Sequence, residues 1–138
     1  MDIISSPSPA EHVRVGYFAS WNGNRPCLRL HADAINTTKY THIHFAFADI
    51  TSDFNVDVSK AQDEFDRFKN LTGVKKIISF GGWESSANSE VYQRMRDAVK
   101  VENRGTFRKN IVDFVSEHGL DGVDMDWEYP GVRPYPPP

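Results

Sequence analysis

The segment DGVDMDWEYPG, Asp121 to Gly131, holds four acidic residues, Asp121, Asp124, Asp126 and Glu128, interleaved with Val123, Met125 and Trp127. From Val123 to Glu128 apolar and acidic residues alternate. This is the period of a β-strand, where residues two apart share a face and stand roughly 6–7 Å from each other. Asp124, Asp126 and Glu128 are therefore expected on one face, with Val123, Met125 and Trp127 on the other, against helices. The helical pattern before this strand and its own apolar residues predict that it lies in the interior of a sheet. Carboxyl groups so close in a crevice cannot all ionise freely, so a proton is shared or one pKa rises. A carboxyl in that state can act as an acid near neutral pH. The competing uses of such a run are a solvated face and a metal site. The Asp-x-Asp-x-Glu spacing is like the start of a calcium loop, but Tyr129 stands where that loop needs glycine and Tyr135 where it needs a bidentate glutamate. No metal and no cofactor are expected. There is no glycine-rich phosphate loop, and the histidines are scattered, with His42 and His44 reading as hydrogen-bonding residues of a sheet.

Four strand patterns can position these acids: Val13–Trp21, Thr41–Ile50, Val74–Trp83 and Leu120–Tyr129. Helical patterns lie between them. Ala61–Leu71 has Phe65, Phe68 and Leu71 three apart, with acids early and lysine late. Ser89–Val99 is a second. The segment from Asn103 to Leu120 puts Phe107, Ile111, Phe114 and Val115 on one face and stops at His118-Gly119. Residues 22–40 read as loop plus a short helix around Asp33–Thr38. Strands alternating with helices argue for an α/β fold with a parallel sheet, either doubly wound or part of a (β/α)₈ barrel. Both architectures bind ligands at the carboxyl ends of their strands. Ser20-Trp21, Asp49, Gly81-Gly82-Trp83 and Asp126–Tyr129 all fall there.

The totals are those of one globular domain: 138 residues, 39% hydrophobic, 25% charged. A formal net charge of −3 gives no reason to expect nucleic acid as a partner, and no run of 18 apolar residues predicts a membrane span. The lone Cys27 reads as a free thiol. Residues 1–11, rich in Ser and Pro, are expected to be disordered, and residues 132–138 form a Pro-rich end. The N-terminal residues lack the pattern of a signal peptide. Two sequons, at Asn36 and Asn70, would suit a secreted protein.

The acidic run carries a resemblance. DGVDMDWE matches the Asp-x-x-Asp-x-Asp-x-Glu signature of glycoside hydrolase family 18, the chitinases, and Ser79–Gly82, SFGG, matches that family's Ser-x-Gly-Gly signature on its third strand. The chain resembles the family from about Val13 to Gly131. NRPCL, KYTHIHFAFADI and LTGVKKIISFGGW are most similar to its fungal killer-toxin-like chitinase branch. The resemblance implies that residues 12–131 are the N-terminal part, about four βα units, of a TIM barrel that takes roughly 250 residues in full. It implies that Glu128 is the general acid and base, that Asp126 orients the substrate's acetamido group, and that Asp124 shares a proton with Asp126. Tyr17, Phe47, Gly82, Trp83 and Tyr129 become substrate-binding positions, while Asp121, Ser79 and Gly81 are parts of the motif with structural roles. The expected partner is chitin or a chito-oligosaccharide, the expected location of the parent protein is extracellular, and chitin-binding modules are expected elsewhere in a longer protein. A half barrel also predicts open sheet edges and missing site residues from later strands. A chitin-binding remnant without hydrolysis is therefore the alternative function.

Overall fold

A computed structural model describes residues 12–87 and 89–130. The two proline-rich ends, 1–11 and 132–138, and the boundary placed at residue 131 lie outside the described residues. Strands β1 (Val15–Ala19), β2 (His42–Ile50), β4 (Lys75–Gly81) and β5 (Gly122–Asp126) pair in parallel in that spatial order. A two-residue strand, β3 (Val56–Asp57), returns antiparallel beside the end of β2. The helices are α1 (Gln62–Lys69), α2 (Gly82–Ala87), α3 (Ser89–Ala98) and α4 (Arg104–Glu117).

Local chemistry explains most of these elements. In α1, Asp63 and Glu64 sit in the first turn and Arg67 and Lys69 in the last, each sign matching the helix dipole it faces. Phe65 and Phe68, three apart, share a face and are fully buried. In α4, Phe107 is buried, and Ile111, Phe114 and Val115 pack on the core from the same stripe. That helix stops where Gly119 takes φ +59°, and the Leu120 N–H reaches back to the Val115 carbonyl at 3.0 Å. The core between sheet and helices is aromatic. Phe45 of β2 meets Phe65 and Phe68 at ring separations of 5.3 Å each, and Phe80 of β4 meets Phe107. Each such ring stabilises the fold by about 1.5–3 kcal/mol through burial.

The connection from β1 to β2 is loop with three short 3₁₀ turns, Ser20–Asn24, Ala32–Ala34 and Thr37–Lys39. It is pinned to α1 by Glu64, whose buried carboxylate accepts the Ala32 N–H at 2.9 Å and lies against His31 Nδ1. Ser20 and Trp21, expected on the strand, belong to the first of these turns.

One expectation about β5 needs correction. Among the described residues β5 pairs with β4 alone, in keeping with the open edges expected of a partial barrel. Val123 and Met125 are 40% and 42% exposed rather than covered by helices; of the apolar set only Trp127 packs on the core. Asp124 and Asp126 lie on the face opposite Val123 and Met125, but what covers a face is a property of topology that alternation does not encode.

Candidate active site

Asp121 opens the acidic run as a fastener. One carboxylate oxygen accepts the Lys76 N–H at 2.8 Å and the other meets the Lys75 ammonium at 2.9 Å. The hydrogen bond from the Lys76 backbone, then the Lys75 charge, hold its carboxyl below the usual range. Register is thereby set between β4 and β5, with Ser79 opposite Asp124 and Gly81 opposite Asp126.

Asp124 gathers side chains from two more strands. The Tyr17 hydroxyl of β1 donates to its Oδ2 at 2.9 Å. His44 of β2, in register with Tyr17, brings Nδ1 to 3.3 Å from the same oxygen. That contact is a close approach and not an aligned hydrogen bond, since Nδ1 has no hydrogen-bond partner among the described residues. The Tyr17 and His44 rings lie 4.7 Å apart. Burial of the Tyr17 hydroxyl, its bond to Asp124, and the charges of Asp124 and Asp126 push its pKa up to about 12. The ring remains 54% exposed, so Tyr17 is both a wall of the site and an anchor for Asp124. Ser79 is fully buried, its hydroxyl without a partner among the described residues.

The glycine pair has a steric reason. A Cβ on Gly81 would stand 2.1 Å from the Asp126 carbonyl oxygen, and one on Gly82 would stand 2.6 Å from the Phe47 ring; both backbones are in the left-handed region, at φ +106° and +76°. Gly81 thus lets the end of β5 close on β4, and Gly82 makes room for Phe47. Phe47 reaches that place because of a bulge. Phe45 pairs with Ile78 and Ala48 with Phe80, so two residues of β2 oppose one of β4. Phe45 and Ala48 both face the helices, whereas Phe47 turns toward the site, stacked on Trp21 at 6.2 Å and near Tyr17 at 6.5 Å. Strict alternation would have put Phe45 and Phe47 on one face.

Glu128 lies past the end of β5. Its backbone N–H donates to Ser86 Oγ of α2 at 3.1 Å, and the residue is half-buried. The shared strand face expected for the three acids therefore holds for Asp124 and Asp126 and gives way at Glu128 to a helix contact. Tyr129 is exposed beside it. Trp83, expected at a strand end, stands on the first turn of α2 and is 64% exposed. A groove of about 530 Å³ is lined by Trp21, Phe47, Gly81, Gly82 and Trp83 among others. Sequence reasoning passed over His44 and Ser86 as site residues and placed Trp21 only at a ligand-binding strand end, without a role. Only Trp21 carried a signal, its place at the end of the first strand pattern.

The profile of glycosyl hydrolases family 18 matches residues 13–135. This chain belongs to that family. Among its relatives, it is 41% identical to the secreted chitinase LysM12 of Penicillium expansum over 99% of its own length, and 40% identical to the killer toxin subunits alpha/beta of Kluyveromyces lactis over 83%. It spans 9% and 10% of those relatives' lengths, about a tenth. The crystal structure of Ostrinia furnacalis Group IV chitinase superposes with a TM-score of 0.75 at 26% identity, covering 89% of this chain and 35% of that one; it has also been solved with allosamidin. The parallel sheet and its helices are accordingly a portion of a family 18 (β/α)₈ barrel rather than a doubly wound sheet.

Proposed function

We propose that this family 18 chain carries the acid cluster of a chitinase and that it acts on β-1,4-linked N-acetylglucosamine in chitin or chito-oligosaccharides. The observation that carries this reading is the convergence of β1, β2 and β4 on Asp124, with Asp126 two residues beyond it toward Glu128. Residues 12–131 are then part of the catalytic domain, and the parent protein works outside the cell, as the name of the secreted Penicillium relative suggests for that protein.

The chemistry is substrate-assisted, the known exception to the two-carboxylate scheme of glycosidases. Glu128 gives its proton to the glycosidic oxygen as the bond to the anomeric carbon breaks. The acetamido oxygen of the sugar on the cleaved side attacks that carbon and forms an oxazolinium ion. Asp126 holds the acetamido N–H and offsets the positive charge. Asp124 supports Asp126 from below and shares a proton with it; Tyr17, which keeps its own proton to high pH, steadies Asp124 by donating to it. Glu128, now ionised, takes a proton from water, and attack by that water restores the sugar with its anomeric configuration retained. Loss of such a proton donor typically costs about 10²–10⁴ in rate.

A second reading is sugar binding without hydrolysis. What favours it is that Trp21 and Trp83 stand exposed as stacking surfaces. One experiment separates the two. The 138-residue chain and Glu128→Gln are assayed for release of a fluorogenic group from a chito-oligosaccharide and for retention on chitin. Hydrolysis by the parent chain alone, with both retained on chitin, supports catalysis. Retention of both with hydrolysis by neither supports binding only. Equal hydrolysis by both removes Glu128 from the acid role.

A further inference from the structure

The reaction above gives His44 no task, yet the sheet delivers it to the acid cluster. Tyr17, His44, Ile77 and Gly122 form one row across β1, β2, β4 and β5. In the next row along, Ala19 pairs with Ala46 and Ser79 with Asp124. The small side chains of Ala19, Ala46 and Ser79 leave room beside Asp124. Tyr17 and His44 lean into it from the row before, as side chains of strands lean along the strand direction. Both reach the same atom. The Tyr17 hydroxyl donates to Asp124 Oδ2 at 2.9 Å, and His44 Nδ1 stands 3.3 Å from that oxygen. The His44 side chain is 13% exposed, and its Nδ1 is buried with no hydrogen-bond partner among the described residues.

A neutral imidazole carries its proton on one nitrogen only, and the hydrogen bonds open to the two nitrogens decide which. A bare Nδ1 would point its lone pair at a carboxylate oxygen that already accepts from Tyr17, setting two electron-rich atoms against each other in a buried place. With the proton on Nδ1, the same approach becomes a charge-assisted pair of donor and acceptor. A modest turn of the ring aligns it, and hydrogen bonds of a reacting site are often long or poorly aligned until the ligand is bound. We propose that His44 keeps its ring proton on Nδ1 and donates it to Asp124 Oδ2, acting with Tyr17 as a positioning residue for the acid pair. Two donors fix Oδ2 as an accepting oxygen, and the proton that Asp124 and Asp126 share is left to the other oxygen, Oδ1. Asp124 is thereby held in one orientation beneath Asp126. The bond itself is independent of substrate; its effect on hydrolysis rests on the chitin reading above and adds to it the residue that orients Asp124.

Two measurements on the full chain test this, with circular dichroism to confirm that each variant folds. The first uses nitrogen-15-labelled histidine. Long-range proton–nitrogen NMR correlations at about pH 8, where an ordinary imidazole is neutral, show which ring nitrogen carries the proton, and His44→Asn identifies the signal. The proton is expected on Nδ1 in the parent chain and on Nε2 in Asp124→Leu, which removes the acceptor and keeps the bulk. A proton on Nε2 in the parent overturns the proposal, and so does a proton on Nδ1 in both, because Asp124 would then not be what holds it. The second is release of a fluorogenic group from a chito-oligosaccharide. His44→Leu, which fills similar space without an N–H, is expected to react about tenfold more slowly, the worth of roughly one hydrogen bond to a charged group. His44→Asn keeps an N–H donor close to the place of Nδ1 and is expected to recover most of that loss. Equal rates in His44→Leu and the parent overturn the positioning role. Equal losses in the two variants also overturn it, since that is what a ring needed only for packing against Tyr17 would give. A parent chain that hydrolyses nothing removes the catalytic reading alone, and the tautomer still decides the bond to Asp124.

Discussion

Replacing Gly81 by alanine adds a methyl group where the Asp126 carbonyl oxygen already stands 2.1 Å away and its carbon 2.7 Å away. Real side chains stay at least 3.0 Å from such atoms, so 3.0 less 2.1 leaves the backbones about 0.9 Å too close. The obstacle is main chain on the neighbouring strand and cannot swing aside. Two costs follow. Holding alanine at φ +106° strains the backbone by about 1–3 kcal/mol. Parting β4 from β5 at the Gly81–Asp126 pair weakens one or two ladder hydrogen bonds, at about 1 kcal/mol each. The sum, about 2–5 kcal/mol, is a large share of a typical total stability of 5–15 kcal/mol. With a urea slope of about 2 kcal/mol per molar, the unfolding midpoint should fall by roughly 2 M. Gly105→Ala is the control. It lies in α4 with nothing within 4 Å of the added Cβ and should raise stability by up to about 1 kcal/mol. Urea unfolding followed by circular dichroism measures both. The displacement also moves Asp126, so oligosaccharide binding should weaken in Gly81→Ala even below the unfolding transition. An unchanged midpoint with unchanged binding would refute the claim that this glycine exists to let β5 close on β4.

Three further outcomes are expected. In the folded chain Tyr17 should ionise near pH 12, later than free tyrosine at about 10, and the absorbance difference between the parent chain and Tyr17→Phe should show it. Because the folded pKa is the higher one, what this proton contributes to stability is complete below about pH 10 and lost as pH rises toward 12; a difference transition near 10 would mean that Asp124 does not hold the hydroxyl. Asp121→Asn should cost about 1 kcal/mol at neutral pH, after allowance for a partly open site. Its carboxyl is held low in the fold, so that stabilisation is present above the unfolded pKa near 4 and fades as pH falls further; chemical unfolding at pH 7 and pH 3 should show the gap between the two proteins closing at the lower pH. Phe65→Ala, at a fully buried ring touching Phe45, Phe68 and Phe114, should cost about 3–5 kcal/mol in thermal unfolding; a loss under 1 kcal/mol would mean the aromatic core is not where α1 docks.

Much of the scaffold was legible in local chemistry. The α1 and α4 stripes, the glycine stop at Gly119 and the four strand patterns depend on neighbours in the chain, and each was read from the residues within a few positions. Asp124 and Asp126 were legible for the same reason, since period-2 alternation is a property of the strand itself. The glycine pair signalled a close approach without saying to what. The bulge at Ala46–Phe47 was not read from the sequence: His42 to Phe47 alternates, and although Asp49 and Ile50 are out of phase with it, only the pairing with β4 shows where the extra residue is inserted. That single shift separates Phe45, in the core, from Phe47, in the site.

The acidic run by itself determined the family signature, the spacing of the acids on β5 and the glycines that must accompany them, because these are set by covalent order and backbone geometry. Only the tertiary structure decided that Tyr17 and His44 meet at Asp124 across 107 and 80 residues of chain, counting from 17 and 44 to 124, and that Glu128 takes its place from Ser86. Those contacts join residues distant in sequence, and what brings them together is strand order and register, which follow from how the whole sheet buries its apolar face against the helices.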